Sequence, residues 1–161
     1  MEFNWEHDLA ALLANLSKVQ QELLETLNEK RGYLAQADTA GMASLHEREQ
    51  AIIEQLQACQ EQRAKLLEKA AQCGLPSQSI RELVTALPQR GGLQFKQDIQ
   101  DAAARSRILQ HQSLTNWMLA QKTLLHLSQM IEIIATGGRL QPTYGEGEAA
   151  RPRGGLVDQA A

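Results

Sequence analysis

The sequence predicts an all-α protein in which a long antiparallel helical hairpin and a third long helix form a coiled-coil-like three-helix bundle. Apolar and small residues recur at alternating spacings of three and four from Met42 to Cys73, as in a helix that packs along another helix. Aromatic residues make up only 4% of the chain, and Ala, Leu, Gln and Glu, which favour helices, dominate it. We expect a helical domain over residues 1–138, with a short connecting helix, and a flexible tail over 139–161.

The first helix is expected at about residues 5–36. Apolar residues from Leu9 to Leu34 form a wide stripe at helical spacing, and Asn4 or Asp8 can cap the helix. The turn that follows is short, and Asp38 or Thr39 can cap the next helix. Because a short connection joins neighbouring antiparallel helices, the first two helices are predicted to form a hairpin.

The second helix is expected at about residues 39–73, where Gly74 and Pro76 supply a termination signal. Glu49 and Arg63 are polar residues at apolar positions of its seam, and two interpretations stay open. Each can lie at the edge of the seam with its charged group in water. Alternatively, each can pair with the first helix, for instance with Lys30 or Glu22, and fix the register of the hairpin.

A connecting helix is expected at about residues 80–87, because Ser79 and Glu82 have the spacing of a capping box. Leu87-Pro88 and Gly91-Gly92 should end it. The third long helix is expected at about residues 93–136, and Gly137-Gly138 should end it.

The second half of the third helix is apolar almost all round. One broad face comprises Leu114, Trp117, Met118, Leu124, Leu125 and Ile131, and the opposite side comprises Leu119, Leu127, Met130, Ile133 and Ile134. Such a helix is either buried on all sides or exposes a surface for a partner, and the sequence leaves both interpretations open.

The tail, residues 139–161, has several Gly and Pro residues and few apolar ones. It cannot bury enough apolar surface to offset the entropy of ordering it. We expect either a solvated terminus without a role or a segment that folds on a partner.

Charge and hydropathy exclude several classes of protein. The net charge is −3 and no dense basic face is apparent, which disfavours nucleic-acid binding. No uninterrupted apolar segment reaches the ~18 residues that a membrane-spanning helix needs, so no membrane insertion is expected. The first residues lack the pattern of a secretory signal, and a cytoplasmic location is predicted.

We find no pattern typical of catalysis, and we predict that the protein is not an enzyme and has no catalytic residues. His7, His46, His111 and His126 are too far apart along the sequence to suggest a metal site, and no cofactor motif is present. Cys59 and Cys73 lie about 21 Å apart along one helix axis, too far to pair, and are expected to be buried thiols.

Several motifs resemble those of a known family. They are Leu12-Leu13, Gln21-Glu22-Leu23-Leu24, Leu27-Asn28-Glu29-Lys30, Leu45-His46-Glu47-Arg48-Glu49, Ile52-Ile53 with Leu56, Cys73-Gly74-Leu75-Pro76 and Thr143-Tyr144-Gly145. In this order, with an apolar third helix and a loose tail, they make the chain similar to the FlgN family of flagellar type III export chaperones.

The resemblance implies a cytoplasmic chaperone that binds C-terminal helical segments of hook–filament junction proteins. Such a chaperone keeps those segments from assembling prematurely and delivers them to the flagellar export gate, and the export ATPase complex is a further candidate partner. The family places substrate capture in its C-terminal part and ties a tail tyrosine to gate docking. By its motif, that tyrosine is Tyr144 here.

The residues independently suit the capture of an amphipathic helix, which needs an apolar face on the chaperone. The predicted partner-binding residues are Leu119, Leu127, Met130, Ile133, Ile134 and Tyr144, the last through the resemblance alone. Methionine adapts its shape to more than one client. The alternative is a structural coiled-coil subunit that dimerises through the seam from Leu45 to Leu66. A homo-oligomer would also cover a spare apolar face.

Overall fold

A computed structural model describes residues 4–87 and 92–137. Secondary structure in these ranges is entirely helical and confirms the all-α helical bundle. The helices are α1 (Trp5–Gln36), α2 (Thr39–Ser44), α3 (His46–Gln72), α4 (Ile80–Ala86) and α5 (Gly92–Thr136). The chain divides into two compact units, Met1–Leu125 and His126–Ala161, and α5 contributes residues to both. The tail predicted over residues 139–161 lies outside the described ranges.

Helices α1 and α3 form the predicted antiparallel hairpin. Near the end of α1, Lys30 Nζ lies 2.6 Å from Glu49 Oε1 at the start of α3. Near the start of α1, Asp8 lines a small surface cavity together with Leu66 and Lys69 from the end of α3. The sequence numbers therefore run in opposite directions along the two helices.

The hairpin holds the hydrophobic core of the first unit, and α4 closes one end of it. Leu9, Ile52 and Leu83, from α1, α3 and α4, are at most 2% exposed. The buried cluster comprises Leu9, Leu12, Val19, Ile52, Cys59, Leu66, Ala70, Leu83 and Val84. The α3 members recur at the heptad spacing of the sequence, so the seam predicted from Met42 to Cys73 packs on α1 within one chain.

Helix α3 ends in a Schellman motif at the predicted glycine. Gly74 has a φ of 71°, the Leu75 amide donates to the Ala70 carbonyl at 2.9 Å, and the Gly74 amide donates to the Ala71 carbonyl at 3.1 Å. Helix α4 begins as predicted, because the Ser79 hydroxyl accepts a hydrogen bond from the Glu82 amide. Pro88 and Gly91, predicted to end α4, lie outside the described ranges.

The prediction of a single helix over residues 39–73 is wrong, because the structure interrupts the helix at Leu45. The Ser44 hydroxyl donates a hydrogen bond to the Gly41 carbonyl at 2.6 Å. The Leu45 amide donates to the Met42 carbonyl, three residues back, at 3.2 Å. A serine hydroxyl that competes for a helical carbonyl tightens the local turn. The short helix α2 therefore ends there, and α3 starts anew with the Glu49 amide bonded to the Leu45 carbonyl.

Helix α2 lies so close to α1 that Gly41 is required at the contact. A Cβ atom at Gly41 would overlap the Tyr33 ring and would also crowd the Asp38 carboxylate. The same carboxylate caps α2, since Asp38 Oδ1 accepts from the Gly41 amide at 2.9 Å. Of the two caps that the sequence allowed, Asp38 is therefore the one used.

The two polar residues of the α3 seam have different environments. Glu49 pairs with Lys30 across the hairpin, as in the register-fixing interpretation. Arg63 is exposed and makes no ion pair with any residue in the described ranges, as in the interpretation that keeps its charge in water. The prediction for the cysteines is half wrong: Cys59 is buried but Cys73 is exposed, because it follows the last turn of α3.

Within the first unit, α5 runs parallel to α1. Gln20 contacts Ala102, Leu27 contacts Asn116 and Leu34 contacts Thr123, so the residue numbers increase together along both helices. The parallel direction follows because α3 returns the chain to the start of α1 and α4 packs at that same end.

Candidate partner-binding surface

Helix α5 carries nearly all of the large apolar side chains that the described residues expose. Of the exposed large hydrophobics, Ile53 alone lies outside α5; the others are Leu93, Ile108, Leu114, Trp117, Met118, Leu124, Leu125, Leu127, Met130, Ile131, Ile133 and Ile134. Scattered apolar residues are normal on a surface, but a contiguous group marks a site of interaction. Of the two interpretations of α5, the structure of the single chain shows the exposed one.

The structure places the predicted site residues in two groups. Leu119 is half-buried in the first unit. Leu127 and Met130 are 39% and 45% exposed, and Ile133 and Ile134 are 50% and 77% exposed, all in the second unit. We call these last four residues the C-terminal face. Tyr144 lies outside the described ranges.

In the second unit, the C-terminal face follows helical spacing. Leu127, Met130 and Ile134 are separated by three and four residues, which places them on one side of a helix. Ile131, 66% exposed, lies about 40° around the helix from Leu127 at 100° per residue and widens this face.

In the first unit, Phe95 and Ile99 of α5 pack against the core and Ala102 is buried, and from Ala102 onward polar groups also join α5 to α1. The sequence did not predict these polar contacts. Gln20 of α1 is 3% exposed, and both the nitrogen and the oxygen of its side-chain amide form hydrogen bonds with α5. Its Nε2 donates to the Ala102 carbonyl at 3.0 Å and to the Ser106 hydroxyl at 2.9 Å, and its Oε1 accepts from Arg105 Nε at 3.1 Å. The amide of Gln20 thereby sets the register of α5 on α1.

Further along the same contact, α5 bonds to carbonyl groups of α1. Asn116 Nδ2 donates to the Leu27 carbonyl at 2.8 Å, and the Thr123 hydroxyl lies 3.4 Å from the Leu34 carbonyl. Gln112, Asn116 and Thr123 follow one another at spacings of four and seven residues. This polar spacing was the signal in the sequence for the contact with α1.

From Leu114 to Leu125, an apolar side of α5 faces solvent. Leu114, Trp117, Met118, Leu124 and Leu125 are each 57–61% exposed, and we call these five residues the outer stripe. They span three helical turns on the side of α5 away from Asn116. A helix usually buries its apolar side against its own chain, and α5 departs from this rule between Leu114 and Leu125.

A cavity of about 250 Å³ lies between α1, α3, α4 and α5. Leu12, Leu16, Leu56, Ile80 and Ile99 are among its lining residues. A helix with its side chains is about 10 Å across, so the cavity is too small to accept one. It is a gap in the packing of the bundle core and is not part of the candidate surface.

The described residues offer no arrangement suited to metal binding, since no group of three or more His, Cys, Asp or Glu side chains converges in them. Burial raises the pKa of the Cys59 thiol, because its charged form would lose solvation. None of the helices in the part of the chain that the structure describes is long and apolar enough to cross a membrane.

An all-α bundle that turns an apolar helix side to solvent belongs to the class of proteins that bind other proteins through helices. The comparison with family models gives the particular family: the model described as FlgN protein matches residues 1–152. The chain therefore belongs to the FlgN family, and its general role is that of a flagellar export chaperone. No match was found among curated proteins or among solved structures.

Proposed function

We propose that this cytoplasmic chaperone binds the C-terminal helical segments of hook–filament junction proteins, prevents their premature assembly and delivers them to the flagellar export gate. The observation that carries the proposal is the exposure of the C-terminal face. Segments that assemble through amphipathic helices need their apolar side covered until export, and an exposed apolar helix face can cover it. Membership of an export chaperone family supports the same role.

The alternative, a scaffold subunit that dimerises through the α3 seam, loses its main support. Leu45, Ile52, Cys59 and Leu66 of that seam are each at most 7% exposed within the single chain. A seam that already packs on α1 has no surface left for a second copy.

The direct test is calorimetry of the full chain with C-terminal peptides of candidate hook–filament junction proteins. Micromolar or tighter binding with a negative heat-capacity change is expected, because apolar surface is buried. The double variant Leu127→Asp with Ile134→Asp should abolish binding while helical content persists, since both side chains are exposed.

The matched control places the same two charges on the polar side of the same segment, as Ser128→Asp with Gln129→Asp. Both residues are exposed, and neither belongs to the C-terminal face. The control should bind the peptides like the unchanged chain. If Leu127→Asp with Ile134→Asp unfolds the protein, or if no peptide binds, the proposal is wrong at this site.

Tyr144 is proposed to act in gate docking and not in client capture. The variant Tyr144→Ala should retain the client affinity of the full chain and lose binding to purified export-gate protein. A form of the chain that ends at Gly138 should likewise retain client affinity and lose binding to the export-gate protein. Loss of client binding in either form would instead assign the tail to the client site. Binding of each form to the export ATPase complex can be measured in the same way.

A further inference from the structure

We propose that the outer stripe of α5 is a second docking surface, and that it binds an amphipathic helix of a partner protein whose apolar side is flanked by acidic residues. This surface is distinct from the C-terminal face on which the proposed function rests. All of its residues lie in the first unit, and each is exposed at 57–61%.

The shape of the outer stripe suits a helix. At 100° per residue, its five side chains lie within an arc of about 120° over three turns, which is the width of one helix–helix contact. The opposite side of α5 is already bonded to α1 through Asn116, and Thr123 lies next to the Leu34 carbonyl on that side. A helix laid on the outer stripe would therefore leave the bundle contacts of α5 unchanged.

The charges of α5 favour a partner helix that carries acidic residues. No Asp or Glu occurs between Asp101 and Glu132, although the protein as a whole has a net charge of −3. Arg107 and Lys122 are exposed, and neither forms an ion pair with a residue that the structure describes. Both lie near the edge of the outer stripe that holds Met118, at 100° per residue. A partner helix with carboxylates on that flank would meet two unpaired positive charges.

The same charges disfavour a second copy of this chain as the occupant. A second copy would bring no carboxylate to Lys122, because neither copy has an acidic residue within the outer stripe. Gln121 adds a further requirement, because it lies exposed in the middle of the outer stripe. Its amide needs a hydrogen-bond partner once it is covered, and a carboxylate can accept from it.

The experiment compares two synthetic helical peptides with the same apolar residues, one with Glu and the other with Lys at the flanking positions. Each is titrated into the full chain, and binding is followed by the change in tryptophan fluorescence, to which Trp117 of the outer stripe, 60% exposed, contributes together with Trp5. The Glu peptide is expected to bind about ten-fold more tightly at low salt, as two exposed ion pairs allow. The difference should shrink as salt is added.

Variants of the chain test which of its residues cause the preference for the Glu peptide. Arg107→Glu with Lys122→Glu should reverse the preference between the peptides. The control Lys65→Glu with Arg81→Glu makes the same charge change at exposed positions of α3 and α4, and should leave the preference unchanged. Met118→Asp with Leu125→Asp should abolish binding of both peptides without loss of helical content, because both side chains are exposed.

Equal affinity for the two peptides, no binding of the Glu peptide, or an unchanged preference in Arg107→Glu with Lys122→Glu would each overturn the proposal. A dimer in sedimentation that Met118→Asp with Leu125→Asp dissociates, without binding of the Glu peptide, would assign the surface to a second copy instead. Failure of the proposed function is separable, since it appears as loss of junction-protein binding with the acidic-peptide preference intact.

Discussion

The contact of α1 with α3 and the contact of α1 with α5 follow opposite rules. Between α1 and α3, leucine and isoleucine side chains are buried, and charged pairs such as Lys30 with Glu49 lie at the edge. Between α1 and α5, Gln20 and Asn116 make hydrogen bonds, and the apolar side chains of the outer stripe face solvent, whereas Phe95 and Ile99 at the start of α5 pack on the core. The difference teaches that the hairpin buries its apolar surface within the chain, whereas α5 leaves the outer stripe exposed.

The sharpest way to break this comparison is to truncate one leucine in each region. Leu66→Ala on α3 should lower the free energy of unfolding by about 2–5 kcal/mol, because Leu66 is 4% exposed and a cavity would remain. Leu125→Ala on α5 should change it by less than about 0.5 kcal/mol, because Leu125 is 61% exposed. Urea denaturation of the two variants measures both values. Similar losses of stability in the two variants would show that the outer stripe is part of the buried core.

A smaller effect is expected at the polar contact. Gln20→Leu should lower the free energy of unfolding by about 1–3 kcal/mol, because the hydrogen-bonding groups of Arg105 and Ser106 lose their partner. The neighbouring Gln21 is an internal control, since its exposed side chain bonds only to Glu25 on the same helix. Gln21→Leu should change stability by about 0.5 kcal/mol or less in thermal or urea unfolding. Equal effects at the two positions would contradict the register role of Gln20.

The smallest effect concerns the turn that joins α1 to α2. Ala37 has a left-handed φ of 52°, which costs free energy for a residue with a Cβ atom. Ala37→Gly should therefore stabilise the hairpin by about 0.5–1 kcal/mol. Ala35→Gly, in the last turn of α1, should destabilise it by a similar amount, because glycine is a poor helix former. Thermal unfolding of both variants shows whether each one raises or lowers the stability. A loss of stability in Ala37→Gly would contradict the left-handed conformation of this turn.

Local features of the sequence predicted the helices well. The apolar spacing of α3 identified the seam, Ser79 marked the start of α4, and Gly74 and Gly137 marked the ends of α3 and α5. These features depend on backbone geometry within one or two turns, and residues close in sequence determine that geometry. The break at Leu45 escaped prediction because a single serine hydroxyl, bonded to the Gly41 carbonyl, competes with the regular helix.

The candidate surface shows the limit of such reasoning. Spacing alone grouped Leu119 with Leu127 and Met130, but the structure half-buries Leu119 and exposes the other two. The sequence also gave no means of choosing between a buried and an exposed α5. That choice depends on which side of α5 meets α1, and it is made by Gln20, which lies more than 80 residues away along the chain.

The sequence by itself determined the long helices, the ends of α3 and α5, the start of α4 and the antiparallel hairpin, because helical periodicity and capping are local properties. Tertiary structure alone decided that α5 turns its polar side inward and its outer stripe to solvent. The physical reason is that a buried amide or carbonyl must find a hydrogen-bond partner, and which groups meet is settled by the packing of distant segments. The exposed apolar surface of this export chaperone is a consequence of that packing.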